Sequence, residues 1–264
     1  MLHPGSSMNR RKFLFWAAAS FLGLATPASA AAVLFPSRRS TPGFVALIID
    51  DIGYSRGRAQ MFLKLPIPIT YAVLPRLALT RPLAVEIYEA GHQLLLHQPM
   101  EPVDGRFDPG PGALYVHYEA DRIAGIVEEN LDSVAFAAGV NNHMGSLFTA
   151  SAGKMRTAIE ALKEQNRFFV DSVTCRQSAG FRTAMWLNVP CARRHVFLDN
   201  VREESAIFGQ LRCLAQIAVQ NGCAVGIGHP FPETAAAIDR FFQSPESALL
   251  EPVYISSLLT LPCG

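Results

Sequence analysis

Short apolar runs of strand length alternate with segments of helical periodicity along most of this chain. Strand-type runs fall at residues 45–49, 69–74, 93–97, 168–170, 196–198 and 224–227, with weaker ones at 139–141 and 253–255. Helical spacing fills the gaps, at 58–65, 79–90, 120–137, 151–165, 203–221 and 233–242. In the third of these, Ile123, Ile126, Val127, Leu131 and Val134 share one face. Strands separated by helices pair in parallel through right-handed crossovers. Seven or eight such units predict an α/β fold, specifically a (β/α) barrel of parallel strands, irregular or incomplete. A dinucleotide-binding sheet is disfavoured, since no Gly-x-Gly-x-x-Gly or phosphate loop follows any strand.

Half of the 264 residues are hydrophobic and 17% are charged, as expected of a chain with a sizeable core. The net charge is +1, and no basic stripe with interleaved aromatics occurs, so nucleic acid is not an expected partner. The first 30 residues read as an export signal. Asn9-Arg10-Arg11-Lys12 is a basic start with twin arginines, residues 13–25 are apolar, and Ala28-Ser29-Ala30 is a cleavage pattern. Met8 is an alternative start. The apolar run is shorter than the roughly 20 residues of a spanning helix, so no stable membrane span is expected after cleavage. A retained, uncleaved anchor is the alternative. The expected organisation is a signal peptide over 1–30, a linker over 31–42 and one domain over 43–264, exported to a periplasm. Five cysteines without a Cys-x-x-Cys leave room for one or two disulfides, or for buried free thiols, and do not suggest a zinc–thiolate site.

The chemistry-bearing residues cluster at strand ends. Val45-Ala46-Leu47-Ile48-Ile49 reads as a buried strand and stops at Asp50-Asp51. Two adjacent carboxylates at the end of such a strand repel each other and are costly to bury, unless a positive group sits beside them. The alternative is a turn in which one acid caps the following helix. His97, His143, Asp171 and His229 also end strand-type runs. In a parallel barrel these ends share one rim, which is where barrel enzymes place their active sites. An Asp with two His is a common ligand set for zinc or a similar divalent ion. A further Asp and His are available as general base and general acid. His92, His117 and His195 lie away from strand ends and are poorer candidates.

Four segments in order, residues 45–53, His97-Gln98-Pro99-Met100-Glu101-Pro102, Asn142-His143-Met144-Gly145-Ser146 and Gly228-His229-Pro230, resemble the divergent polysaccharide deacetylase family, an exported branch of the NodB-like carbohydrate esterases. The resemblance spans about residues 43–262. It implies a NodB-like barrel, a divalent metal, most simply zinc, and removal of N-acetyl groups from an envelope glycan such as peptidoglycan. By resemblance, Asp50 is the general base, Asp51 a metal ligand, His229 the general acid and Asp171 the acid that orients a catalytic group. The chain departs from typical NodB-like deacetylases in lacking a His-x-x-x-His pair, because Glu101 stands four residues after His97. His97 and His143 are therefore expected to complete the metal site from two different strands. The loop at 101–116, the stretch 181–186 and Phe231 are the expected groove, with Glu101, Asn142, Trp186 and Phe231 as substrate-binding candidates. Two other classes remain open: a non-catalytic glycan- or protein-binding factor that keeps the barrel, and a metal-dependent glycosidase or phosphoesterase.

Overall fold

The computed structural model describes residues 42–260, so the expected signal peptide and most of the linker lie outside the described residues. The chain runs β1 (Gly43–Ile52), α1 (Arg56–Leu63), β2 (Thr70–Val73), α2 (Thr80–Glu89), β3 (Gln93–Met100), α3 (Ala120–Ser133), β4 (Ala137–Met144), α4 (Ala152–Glu164) and β5 (Phe168–Asp171). It continues α5 (Gly180–Trp186), β6 (Cys191–Arg193), β7 (Val196–Phe197), α6 (Glu204–Asn221), β8 (Cys223–Gly228), α7 (Pro232–Phe242), β9 (Leu250–Pro252) and α8 (Ile255–Leu258). Eight parallel strands lie in the order β6-β5-β4-β3-β2-β1-β8-β7, and β9 adds to β1. The predicted parallel α/β architecture is observed. The short β6, α5 and α8 are too brief to carry a readable period, and the weak run at 253–255 is not a strand: β9 ends at Pro252 and α8 begins at Ile255.

The edges of this sheet nearly meet. β6 and β7 stand at opposite ends of the strand order, yet only Arg194 and His195 separate them in the chain. Three residue steps reach at most about 11 Å, so the sheet must curl until its edges face each other. The link is stitched to both sides. The Arg194 backbone N–H donates to the Asp171 carbonyl on one flank (2.9 Å), and the His195 backbone N–H donates to the Val225 carbonyl on the other (2.9 Å).

Strand alternation divides the core into two layers. Val45, Leu47 and Ile49 of β1 pack outward against the helices, with Leu94, Leu96, Phe169 and Leu214 in the same cluster. Ala46, Ile48, Leu95, Val170, Val225 and Ile227 form an inner cluster closed at its base by Ile255 and Leu258 of α8. Gly226 faces outward, where an added Cβ would lie 2.8 Å from Leu214, so helix α6 seats directly on β8. The inner layer ends where the polar residues begin: one step beyond Ile48, Leu95 and Ile227 on the inward parity come Asp50, His97 and His229.

A metal-type triad and an acid–histidine pair at the barrel mouth

Asp50 faces inward by strand parity. Asp51 should then face the helices, but β1 carries an irregularity there. Ile49 pairs with Tyr71 and Ile52 with Val73, so three steps on β1 match two on β2. This bulge coincides with a left-handed backbone at Asp51 (φ 56°), a conformation Asp tolerates better than most residues. The extra residue turns the second carboxylate to the mouth as well. The tandem acids are therefore both site residues, not a turn cap; Ser55 caps α1 instead.

Asp51 Oδ1 lies 2.9 Å from His143 Nδ1 and 3.2 Å from His97 Nε2, and the two imidazole nitrogens are 3.2 Å apart. These three ligand atoms could hold a metal ion. A tetrahedral ion with bonds near 2.0–2.1 Å sets its ligand atoms about 3.3 Å apart, close to this triangle. The hydrogen bonding also fits an ion. Asn141 donates from Nδ2 to Asp50 Oδ1 (2.7 Å), which leaves its Oδ1 as acceptor for His97 Nδ1 at 2.8 Å. His97 thus carries a proton on Nδ1 and turns Nε2 toward Asp51 Oδ1, the atom through which each would bind an ion. A divalent ion at the centre of the triangle would replace the protons these three groups otherwise share and would take a lone pair from each.

In the metal-free site the acids and imidazoles share protons. Burial raises the Asp50 carboxyl above the ordinary range, an effect that His97 and His229 nearby only partly oppose. Burial also pushes Asp51 upward, but the imidazoles of His143 and His97 outweigh it and hold that carboxyl well below the usual range. Burial pushes His97 down, and Asp50 and Asp51 reverse this to a net rise.

His229 stands on the opposite side of the acids, its Nε2 3.8 Å from Asp51 Oδ2. Its Nδ1 lies 2.9 Å from Asp199 Oδ1, and its backbone N–H donates to Asp199 Oδ2 (2.5 Å). Thr234 donates to the same Oδ2 from its hydroxyl (2.8 Å). Burial lowers the basicity of His229, but the bond and charge of Asp199 raise its pKa to about 9.

The acid that orients His229 is thus Asp199, not Asp171. Phe168 and Val170 face the inner cluster and Phe169 the outer, so Asp171 points outward. Its carboxylate accepts from the backbone N–H of Val173 (2.8 Å) and Phe181 (2.9 Å) and from the Ser178 hydroxyl (2.7 Å). It shapes the loop after β5, where Val173 is held at φ 49°. Asp199 ends the 196–198 run just as Asp171 ends 168–170. The strand-end reading that selected the other acids applies to Asp199 equally, and Phe197 and Asp199 share the inward parity.

The proposed substrate contacts divide. Phe231 borders the site in a small hollow with Asp51, Tyr54, Arg58 and His229. Asn142 lines the main hollow, but its amide is engaged, accepting from Ser172 N–H (2.9 Å) and donating to the Met144 carbonyl (2.9 Å). Glu101 accepts the Val116 N–H (2.7 Å) and so closes the base of the 101–116 loop. Trp186 lies exposed on α5 beside Arg156 and Arg182, in a separate groove between α4 and α5. Its place is neither the core nor the main hollow.

The profile of divergent polysaccharide deacetylases matches residues 47–259. The chain belongs to the divergent polysaccharide deacetylase family. The relatives include the protein YibQ of Escherichia coli K12, 34% identical over 233 residues, which are 88% of this chain and 72% of YibQ. A Haemophilus influenzae Rd protein is 32% identical over 194 residues, 74% of this chain and 69% of its own length. Among solved structures, ATU2773 of Agrobacterium tumefaciens C58 is 24% identical at TM-score 0.78, covering 84% of this chain and 92% of that one. The peptidoglycan N-acetylglucosamine deacetylase Bc1960 is 13% identical at TM-score 0.50, covering 83% and 88%. These likenesses identify the NodB-like fold of this chain, with eight parallel strands curled into a half-barrel.

Proposed function

We propose that this family member is a metal-dependent hydrolase that removes N-acetyl groups from a glycan of the cell envelope and works in the periplasm. The observation that carries this reading is the pairing, within one mouth, of the Asp51–His97–His143 triangle with two groups that metal binding does not need. These are Asp50 and the Asp199–His229 pair. A divalent ion held by the triangle, zinc being the simplest choice for its donors, supplies Lewis acidity toward the acetamide carbonyl oxygen. Asp50 takes a proton from the attacking water, a task suited to a carboxylate whose basicity burial has raised. Asn141 orients Asp50 through its amide N–H. His229, kept protonated by Asp199 at neutral pH, gives its proton to the leaving amine. Collapse of the tetrahedral adduct releases acetate and a free amino sugar.

The substrate expectation is supported by the kind of protein that shares the fold, since Bc1960 is a peptidoglycan N-acetylglucosamine deacetylase. The periplasmic location rests on the leader sequence alone. The test is metal analysis of the purified chain, combined with acetate release from N-acetylglucosamine oligomers and peptidoglycan fragments. One divalent ion per chain, and acetate release that Asp50→Asn lowers by about 10²–10⁴-fold, is the expected result. Stable metal binding without acetate release from any glycan supports the other reading, a binding factor that retains the barrel.

A further inference from the structure

The main hollow at the barrel mouth contains a cation that the hydrolytic chemistry does not use. Arg194, half-buried in the link between the sheet edges, lines this hollow together with Asp50, His97, His143 and His229. Its guanidinium is fixed in place. Nε donates to the Ser172 carbonyl (2.7 Å), Nη2 donates to the Val173 carbonyl (2.9 Å), and the Phe197 ring lies 5.0 Å away. Both bonds go to neutral carbonyls. Among the described residues no carboxylate lies within ion-pair distance of Arg194, although the charges of Asp50 and Asp171 act on it from farther away, and no hydrogen bond is made by its Nη1.

Two exposed arginines stand on the opposite flank. Arg58 lines the small hollow shared by Asp51 and His229. Arg202 stacks 3.8 Å from the centre of the Phe231 ring. Neither has an ion-pair partner among the described residues. A neutral acetamido sugar gives these cations nothing to pair with. A guanidinium held rigidly with free N–H groups in a partly dry pocket is suited to an anionic oxygen.

Resting on the glycan reading above, we propose that the site selects N-acetylated sugars that carry a carboxylate, and that Arg194 is the residue that reads it. Arg194 acts on specificity and takes no part in proton transfer. The carboxylate lies beside the reacting acetamide, on the β5 side of the mouth, and accepts from Nη1.

The experiment is calorimetric binding to the full chain of two probes. One is an oligosaccharide of alternating N-acetylglucosamine and its 3-O-lactyl ether with free carboxylates. The other is the same oligomer with those carboxylates reduced to alcohols. The acidic probe is expected to bind roughly 10- to 100-fold tighter, the range for one charge-assisted hydrogen bond. Arg194→Gln is expected to erase that gap while leaving affinity for the reduced probe unchanged. Equal affinity of the wild-type chain for both probes, or failure to bind either, overturns the inference, as does an equal loss for both probes in Arg194→Gln. If the Gln variant does not fold, the wild-type gap decides alone: it must narrow as salt rises from 50 to 500 mM, and a salt-independent gap overturns the inference. Acetate release is measured in parallel. A preference for the acidic probe without acetate release refutes hydrolysis and leaves the specificity assignment standing.

Discussion

Asp199 grips His229 at two points, accepting its backbone N–H with one oxygen and facing its Nδ1 at 2.9 Å with the other. The imidazole therefore presents Nε2 to the mouth as a donor. Asp199→Asn keeps the shape and removes the charge. It is expected to lower kcat about 100-fold with little change in KM, in line with the loss of a tuned general acid. NMR titration of His229 should show its pKa falling from about 9 toward the ordinary imidazole value. An unchanged titration refutes the pairing.

The two tandem acids should separate cleanly by substitution. Asp50→Asn is expected to retain metal and lose acetate release by about 10²–10⁴-fold. Asp51→Asn is expected to lose metal, because it removes the one negative charge of the Asp51–His97–His143 triangle. Metal content measured on both variants checks the division; equal metal loss in the two contradicts it.

Asn141 joins ligand and base through one amide, accepting from His97 and donating to Asp50. Asn141→Leu should release the His97 tautomer and weaken metal binding about 10- to 100-fold, as removal of an outer hydrogen bond does at other sites. Competition with a calibrated chelator measures this. A full-affinity Asn141→Leu variant means that His97 needs no such support.

Asp171 is expected to matter for stability rather than chemistry. Asp171→Ala strands two backbone N–H groups and a hydroxyl, at a cost of about 2–4 kcal/mol. Denaturant unfolding should register the loss, while the metal stoichiometry of the folded fraction stays at that of the parent. Loss of metal with unchanged stability reverses the assignment.

The pH dependence of the metal-free protein follows from His229. Its folded pKa of about 9 lies above the unfolded value of about 6.5. The stabilisation is complete below pH ~6.5 and is lost as pH rises through about 9, an effect of about 3 kcal/mol at most. Unfolding by urea across pH 6 to 10 should show the decline, and Asp199→Asn should flatten it. In the active protein the same proton sets the alkaline limb of the rate profile. Asp50, raised by burial, sets the acid limb above the usual carboxylate range.

Much of this architecture is legible in the chain. The apolar runs mark strands, their helical partners impose parallel pairing, and residues at strand ends must gather on one rim. On that rule alone Asp50, Asp51, His97, His143 and His229 are found, and Asp199 was within its reach. The rule does not say which face a strand-end side chain takes. With a period of two, one added residue reverses the face, and this is what happens to Asp51 at the bulge in β1. For Asp171 the outward parity follows from Phe168 and Val170 packing inward, which is known only once the inner layer is assembled.

Local pattern thus settles which residues form the strands and which of them can meet at the mouth, because backbone periodicity and apolar burial act over a few residues. The partners are a property of the closed sheet. His97 and His143 lie 46 positions apart and His229 and Asp199 lie 30 apart. Arg194 reaches the site only because the two edges of the sheet curl toward each other across a two-residue link. Such contacts depend on bulges, register and closure summed over the whole barrel, and no window of sequence contains that sum.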